Sequence, residues 1–84
     1  MKRIAYSKDA LRALRRMPSS TAAVIRSKIE LYAESPKALA NKVVKLQGVE
    51  GAYRLRVGDW RVIFTENLEV IAVIKIAPRG SAYE

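Results

Sequence analysis

Arg54, Arg56 and Arg61 are the residues whose type and spacing speak most directly of chemistry. They sit in two alternating stretches, Ala52 to Val57 and Trp60 to Thr65, separated by Gly58-Asp59. Alternation sends successive side chains to opposite faces of a strand. A two-residue loop beginning in Gly suits a type II′ hairpin turn. Val57 then pairs with Trp60, and Arg56 lies directly opposite Arg61. Tyr53, Leu55, Val57, Trp60, Val62 and Phe64 share the core-facing side, while Arg54, Arg56 and Arg61 share the other. Like charges opposed across a sheet destabilise it, and such a break of a local rule tends to mark function. The guanidinium fork matches phosphate, which supplies the missing negative charge. The alternative is a solvated face balanced by acidic residues from elsewhere in the fold. Residue types alone do not separate phosphate binding from cleavage.

The rest of the composition narrows that chemistry. The chain has no histidine and no cysteine, so the commonest zinc ligands and the commonest general acid/base are missing. No Ser-His-Asp or Cys-His arrangement is possible. The carboxylates Asp9, Glu30, Glu34, Glu50, Asp59, Glu66, Glu69 and Glu84 show no clustered metal spacing. The expectation is chemistry with no metal and no cofactor. Sixteen Lys and Arg against eight Asp and Glu leave a net charge of +8, which favours a polyanionic partner, nucleic acid first and an acidic protein second. An acidic partner would also relieve the self-repulsion of so basic a body.

The elements that position the arginines follow from periodicity. Arg3 to Ser7 reads as a first strand, and Ser7 is placed to cap a helix. Ala10, Leu11, Leu14 and Met17 form that helix's apolar stripe, with Lys8, Arg12, Arg15 and Arg16 on the other side. Those basic residues read as a solvated face, with a partner-facing role as the alternative. Pro18 stops the helix, and Ser19 or Ser20 starts a second that carries Val24, Ile25, Ile29, Leu31 and Tyr32 and ends before Ser35-Pro36. The short connection predicts a helix hairpin. Ala38 to Ala40 suggests a helical turn and Lys42 to Leu46 a weak strand. After the arginine hairpin, Glu66 to Glu69 makes a turn, and Val70 to Ile76 reads as a strand central in a sheet or covered on both faces. The 84 residues predict a single α+β domain, residues 1–84, with an N-terminal strand, a two-helix hairpin and then an antiparallel sheet. No stretch approaches the roughly 18 apolar residues of a membrane span, and Met1-Lys2-Arg3-Ile4 does not open a secretory segment. No membrane association is expected.

The string Tyr53-Arg54-Leu55-Arg56-Val57-Gly58-Asp59-Trp60-Arg61-Val62-Ile63-Phe64 resembles the signature hairpin of the RelE/ParE toxin superfamily. Glu34-Ser35-Pro36-Lys37, the pair Asn41-Lys42, Leu46 with Gly48, and the ending Ile76-Ala77-Pro78-Arg79-Gly80-Ser81-Ala82-Tyr83 resemble RelE. So does the element order, a RelE-like β-α-α-β-β-β. The resemblance implies a cytoplasmic toxin of a type II toxin–antitoxin module that enters the A site of the 70S ribosome and cuts mRNA. It also implies a cognate acidic antitoxin that neutralises it, with operator DNA reached only through that antitoxin.

Carried over by position, Arg54 and Arg56 match the two basic residues of the family's hairpin motif and Arg61 the arginine after the turn. Arg79 matches the basic residue after the last strand, and Tyr83 the terminal tyrosine. Arg56, Arg61, Arg79 and Tyr83 are then the expected catalytic residues. Arg54, Arg56, Arg61 and Lys45 are the expected RNA- or phosphate-binding ones. RelE-type cleavage turns the ribose 2′-hydroxyl on the adjacent phosphate, and preorganised arginines stabilise the charge that grows there. Arg61 is the first choice for that role, with Arg79 near the leaving 5′-oxygen. Tyr83 is placed to stack on a base or sugar, or to orient the 2′-hydroxyl. Some relatives carry a lysine as general base where this chain has Arg56, and an arginine, effectively never neutral, is a poor base. Glu50 and Glu84 are carboxylates of suitable type. Two other readings stay open: a ParE-like inhibitor of DNA gyrase, and a non-catalytic module that only binds antitoxin and acts as operator corepressor.

Overall fold

The computed structural model describes residues 2–48 and 50–78. Arg79, Tyr83 and Glu84, expected at or near the site, lie outside the described residues. The elements run β1 (Arg3–Tyr6), α1 (Lys8–Arg16), α2 (Ser19–Glu34), a 3-10 segment (Pro36–Lys42), β2 (Val43–Lys45), β3 (Ala52–Val57), β4 (Trp60–Glu66) and β5 (Val70–Pro78). The fold is the expected α+β, with two refinements. The sheet order is β1-β5-β4-β3-β2. Within it β1 lies parallel to β5 while every other pair is antiparallel. The sheet is therefore mixed, because β5 comes in beside the first strand after the chain has passed through both helices and the rest of the meander. The weakly signalled strand also forms as β2, giving four strands after the helices where the β-α-α-β-β-β order has three.

Both helices are laid against one face of the sheet. Ala10 and Leu14 of α1, with Ile25 and Ile29 of α2, join Leu55, Val62, Phe64, Ile71, Val73 and Ile76 in a single buried cluster. Phe64 sits within it, its ring 5.2 Å from Tyr32 and 5.6 Å from Tyr53. At one margin of the core, Tyr32 donates to Glu66 Oε1 at 2.5 Å and Lys2 Nζ meets Oε2 at 2.6 Å. Burial, then the bond to Glu66, pushes the Tyr32 hydroxyl well above the ordinary tyrosine range.

The run in β5 does not alternate strictly, and a bulge explains it. Phe64 pairs with Val73, but Ile63 already pairs with Lys75, so Ile74 has no opposite residue. The extra residue resets the facing of the strand: Ile71, Val73 and Ile76 are all buried, and Lys75 is turned to the other face. Ser7 braces this bulge. Its N–H donates to the Val73 carbonyl at 2.9 Å and its Oγ to the Ile74 carbonyl at 2.6 Å. The same Oγ accepts from Ala10 N–H at 3.0 Å, as an N-cap does. Ser7→Ala removes cap and brace together and is expected to cost about 1–2 kcal/mol, measured by urea unfolding. An unchanged midpoint would show that neither contact matters. The second helix lacks such a cap: Pro18, not Ser19 or Ser20, holds its N-cap position, and no side chain caps it.

Candidate functional site

The hairpin register is the one its alternation predicts: Val57 opposite Trp60, Arg56 opposite Arg61, Leu55 opposite Val62, Arg54 opposite Ile63. Gly58 has φ +58° and no other residue type takes positive φ, the pattern of a type II′ turn. Because Leu55, Val62 and Ile76 face the helices, their neighbours along each strand face away. Three rows cross this opposite face. Ala52, Thr65, Ala72 and Ala5 form a row of small side chains. Val44, Arg54, Ile63 and Lys75 form the next. Arg56, Arg61 and Ala77 form the row nearest the turn.

Charge on this face is concentrated near the turn. A shallow depression of about 400 Å³ is lined by Lys42, Arg56, Gly58, Asp59 and Arg61. Arg56 is exposed and Arg61 half-buried, with Arg61 Nη1 donating to the Trp60 carbonyl at 3.3 Å. Neither forms an ion pair with a carboxylate among the described residues. Two arginines are thus held directly opposite each other with no carboxylate of the described residues paired to either, an arrangement whose self-repulsion an incoming phosphate would relieve.

The structure brings Arg54, Arg56 and Arg61 to one face and leaves Lys45 off it. Lys45 pairs with Tyr53, whose ring is stacked on core Phe64, so the two lie on the helix-bearing side of the sheet. Lys45 lines a separate depression with Leu46, Gln47, Gly48 and Glu50. Glu50 precedes β3 and lies at the opposite end of that strand from Arg56, about 20 Å away along an extended chain. Three residues escaped sequence reasoning. Lys42 reaches the depression from the end of the 3-10 segment, Lys75 joins the face through the bulge, and Asp59 lines the depression from the turn. Asp59 stands inside the hairpin motif as a turn residue, while Lys75 carries no local signal because the bulge that turns it is set by partners distant in sequence.

A small α+β protein whose mixed sheet carries its helices on one face and a cluster of arginines on the other is the class that fold and site define. The sequence matches the family profile of the ParE toxin of type II toxin–antitoxin systems, parDE, over residues 4–83. The chain belongs to the RelE/ParE toxin superfamily and is RelE-like in fold. It is similar to a chain of the archaeal RelE-RelB complex from Pyrococcus horikoshii OT3, with 30% identity, a TM-score of 0.77, and coverage of 96% of this chain and 98% of that one. A chain of the RelB-RelE complex from Methanococcus jannaschii follows at 24% identity, 94% of each chain and a TM-score of 0.74. The isolated E. coli RelE toxin matches at 21% identity, covering 98% of this chain and 88% of that one, with a TM-score of 0.77. At these identities the last two show a shared fold. No curated protein matches the sequence closely enough to count as a relative. No helix among the described residues is long and apolar enough to cross a membrane.

Proposed function

We propose that this toxin is a ribosome-dependent endoribonuclease acting in the cytoplasm, where it enters the 70S ribosomal A site and cuts mRNA by metal-free attack of the 2′-hydroxyl on the adjacent phosphate. The observation that carries the proposal is Arg56 set opposite Arg61 on the helix-free face, neither having a carboxylate partner among the described residues. As the 2′-oxygen attacks, negative charge grows on the phosphate, and guanidinium groups fixed before the reaction stabilise it without reorganising. Arg61, tethered through Trp60, takes the central role, and Arg56 and Arg54 hold the flanking backbone. Arg79 and Tyr83 complete the set by resemblance, as the residues at the leaving oxygen and at the base or 2′-hydroxyl. Lys45 contributes to RNA binding only outside the arginine face.

RelE-RelB complexes are among the similar structures, which supports a cognate acidic antitoxin here, with operator DNA contacted through that antitoxin. Primer extension on mRNA from programmed ribosomes tests the activity: cuts within the A-site codon on adding the toxin support it, and intact mRNA refutes it. One observation favours a second reading. The matching family profile is that of ParE, and a ParE-like toxin would instead leave mRNA whole and stall DNA gyrase, which a supercoiling assay detects.

Salt dependence gives a separate check on the face. Three arginine–phosphate contacts to single-stranded RNA should release counterions so that affinity falls by about two decades per tenfold rise in salt. Replacing Arg56 and Arg61 together by Gln should flatten that to less than one decade. A slope that stays steep in the double variant would place RNA binding elsewhere.

A further inference from the structure

The RNA cleavage proposed above lacks one part: a group that accepts the 2′-hydroxyl proton. Arg56 cannot be that group, since a guanidinium has no acceptor and stays charged. The structure sorts the described carboxylates by place. Asp9, Glu30 and Glu34 are on the helices, across the sheet from the arginines. Glu66 is engaged by Lys2 and Tyr32. Glu50 and Glu69 adjoin the far ends of their strands from the Gly58-Asp59 turn. Among the described residues, Asp59 is the one acidic residue that lines the depression with Arg56 and Arg61, and from the turn it also borders the helix side beside Thr21 and Trp60.

We propose that Asp59 is the general base of the reaction. Its backbone is fixed by the two-residue turn, with Val57 and Trp60 paired on either side and Gly58 absorbing the positive φ. The carboxylate is exposed and makes no hydrogen bond or ion pair with a described residue, so its oxygens are available as acceptors. The charged groups that share its depression are all cations: Lys42 from the 3-10 segment, Arg56 from β3 and Arg61 from β4. A phosphate drawn in by those cations arrives beside Asp59, so the acid–base group and the charge stabilisers border one small volume.

The step balances as follows. The Asp59 carboxylate takes the 2′-hydroxyl proton as the 2′-oxygen bonds to phosphorus. The bond from phosphorus to the 5′-oxygen breaks, its electron pair stays on that oxygen, and the oxygen takes a proton from water. A 2′,3′-cyclic phosphate and a 5′-hydroxyl result, and Asp59 returns its proton to the hydroxide left by that water. Arg61 and Arg56 hold the phosphate oxygens throughout.

This assignment rests on the nuclease reading, and its test separates the two. Single-turnover cleavage of mRNA on programmed ribosomes is measured at saturating and subsaturating ribosome for the wild type, Asp59→Asn and Asp59→Glu. Asn suits the turn as well as Asp does, and thermal melting confirms that each variant is folded. The expected result is a loss of about 10²–10⁴ in rate for Asp59→Asn, unchanged half-saturation for ribosomes, and partial recovery in Asp59→Glu. Cleavage by Asp59→Asn at the wild-type rate overturns the assignment while leaving the nuclease standing. So does a reduced rate that Asp59→Glu does not restore in part, which is the mark of a structural effect. Intact mRNA with the wild type overturns the nuclease reading and the assignment with it.

Discussion

Arg61→Ala is expected to slow ribosome-dependent mRNA cleavage by about 10²–10³ and to abolish growth inhibition on induction, while the protein stays folded. The rate estimate follows from what the residue is placed to do. Its guanidinium is the inner member of the Arg56–Arg61 pair, half-buried and steadied by the Trp60 carbonyl, so it acts before the charge forms. Stability should barely move, because the side chain has no carboxylate partner to lose among the described residues. Removing it even eases the repulsion from Arg56 directly opposite. Arg61→Lys should recover only part of the rate, since an ammonium supplies charge without the planar fork. Primer extension and thermal melting on the same preparations check both halves. Full toxicity of a folded Arg61→Ala would remove the arginine pair from the mechanism.

The hairpin was legible in the sequence residue by residue because everything that sets its register is local. A two-residue Gly-first turn permits one pairing, and a single-residue slip would turn the apolar side to solvent. The opposition of Arg56 and Arg61 follows from those two facts. What was not legible depends on partners distant in sequence. The parallel seat of β1 beside β5 is decided by how helices and meander close on one another, and no pattern within Arg3–Tyr6 encodes it. The bulge at Ile74 reverses the facing of Lys75, and its brace is Ser7, 67 residues away. Lys45 was grouped with the arginines by charge, and its pairing with Tyr53 put it on the other face. Lys42 meets Arg56 only because the 3-10 segment brings the chain back alongside the turn, whereas Asp59 reaches the same depression from the turn itself. The C-terminal half of the expected site, Arg79 and Tyr83, lies outside the described residues.

Phe64→Ala carries the other large effect, and it acts on the scaffold. Phe64 is 1% exposed, with Tyr32 and Tyr53 packed on its ring. Truncation leaves a cavity between the sheet and the helices and should cost about 3–5 kcal/mol. A domain of this length has about 4–13 kcal/mol of stability in all, so the loss takes from about a quarter of it to all of it, and the melting temperature should fall by about 12–40 °C. Both ring contacts are lost at once, and Tyr53 lies one residue from Arg54 on the strand that carries the site, so the arginine face should loosen before the chain unfolds. A partner that binds only the folded state shifts this balance by mass action, by about 2.7 kcal/mol at a hundredfold excess over its Kd. The proposed acidic antitoxin should therefore hold Phe64→Ala folded in the complex while the free variant melts. Calorimetry of the free and bound variant measures the difference. A free Phe64→Ala that melts within a few degrees of the wild type would mean that the core is not centred on this ring. A complex that melts with the free variant would mean that the partner does not bind the face this core supports.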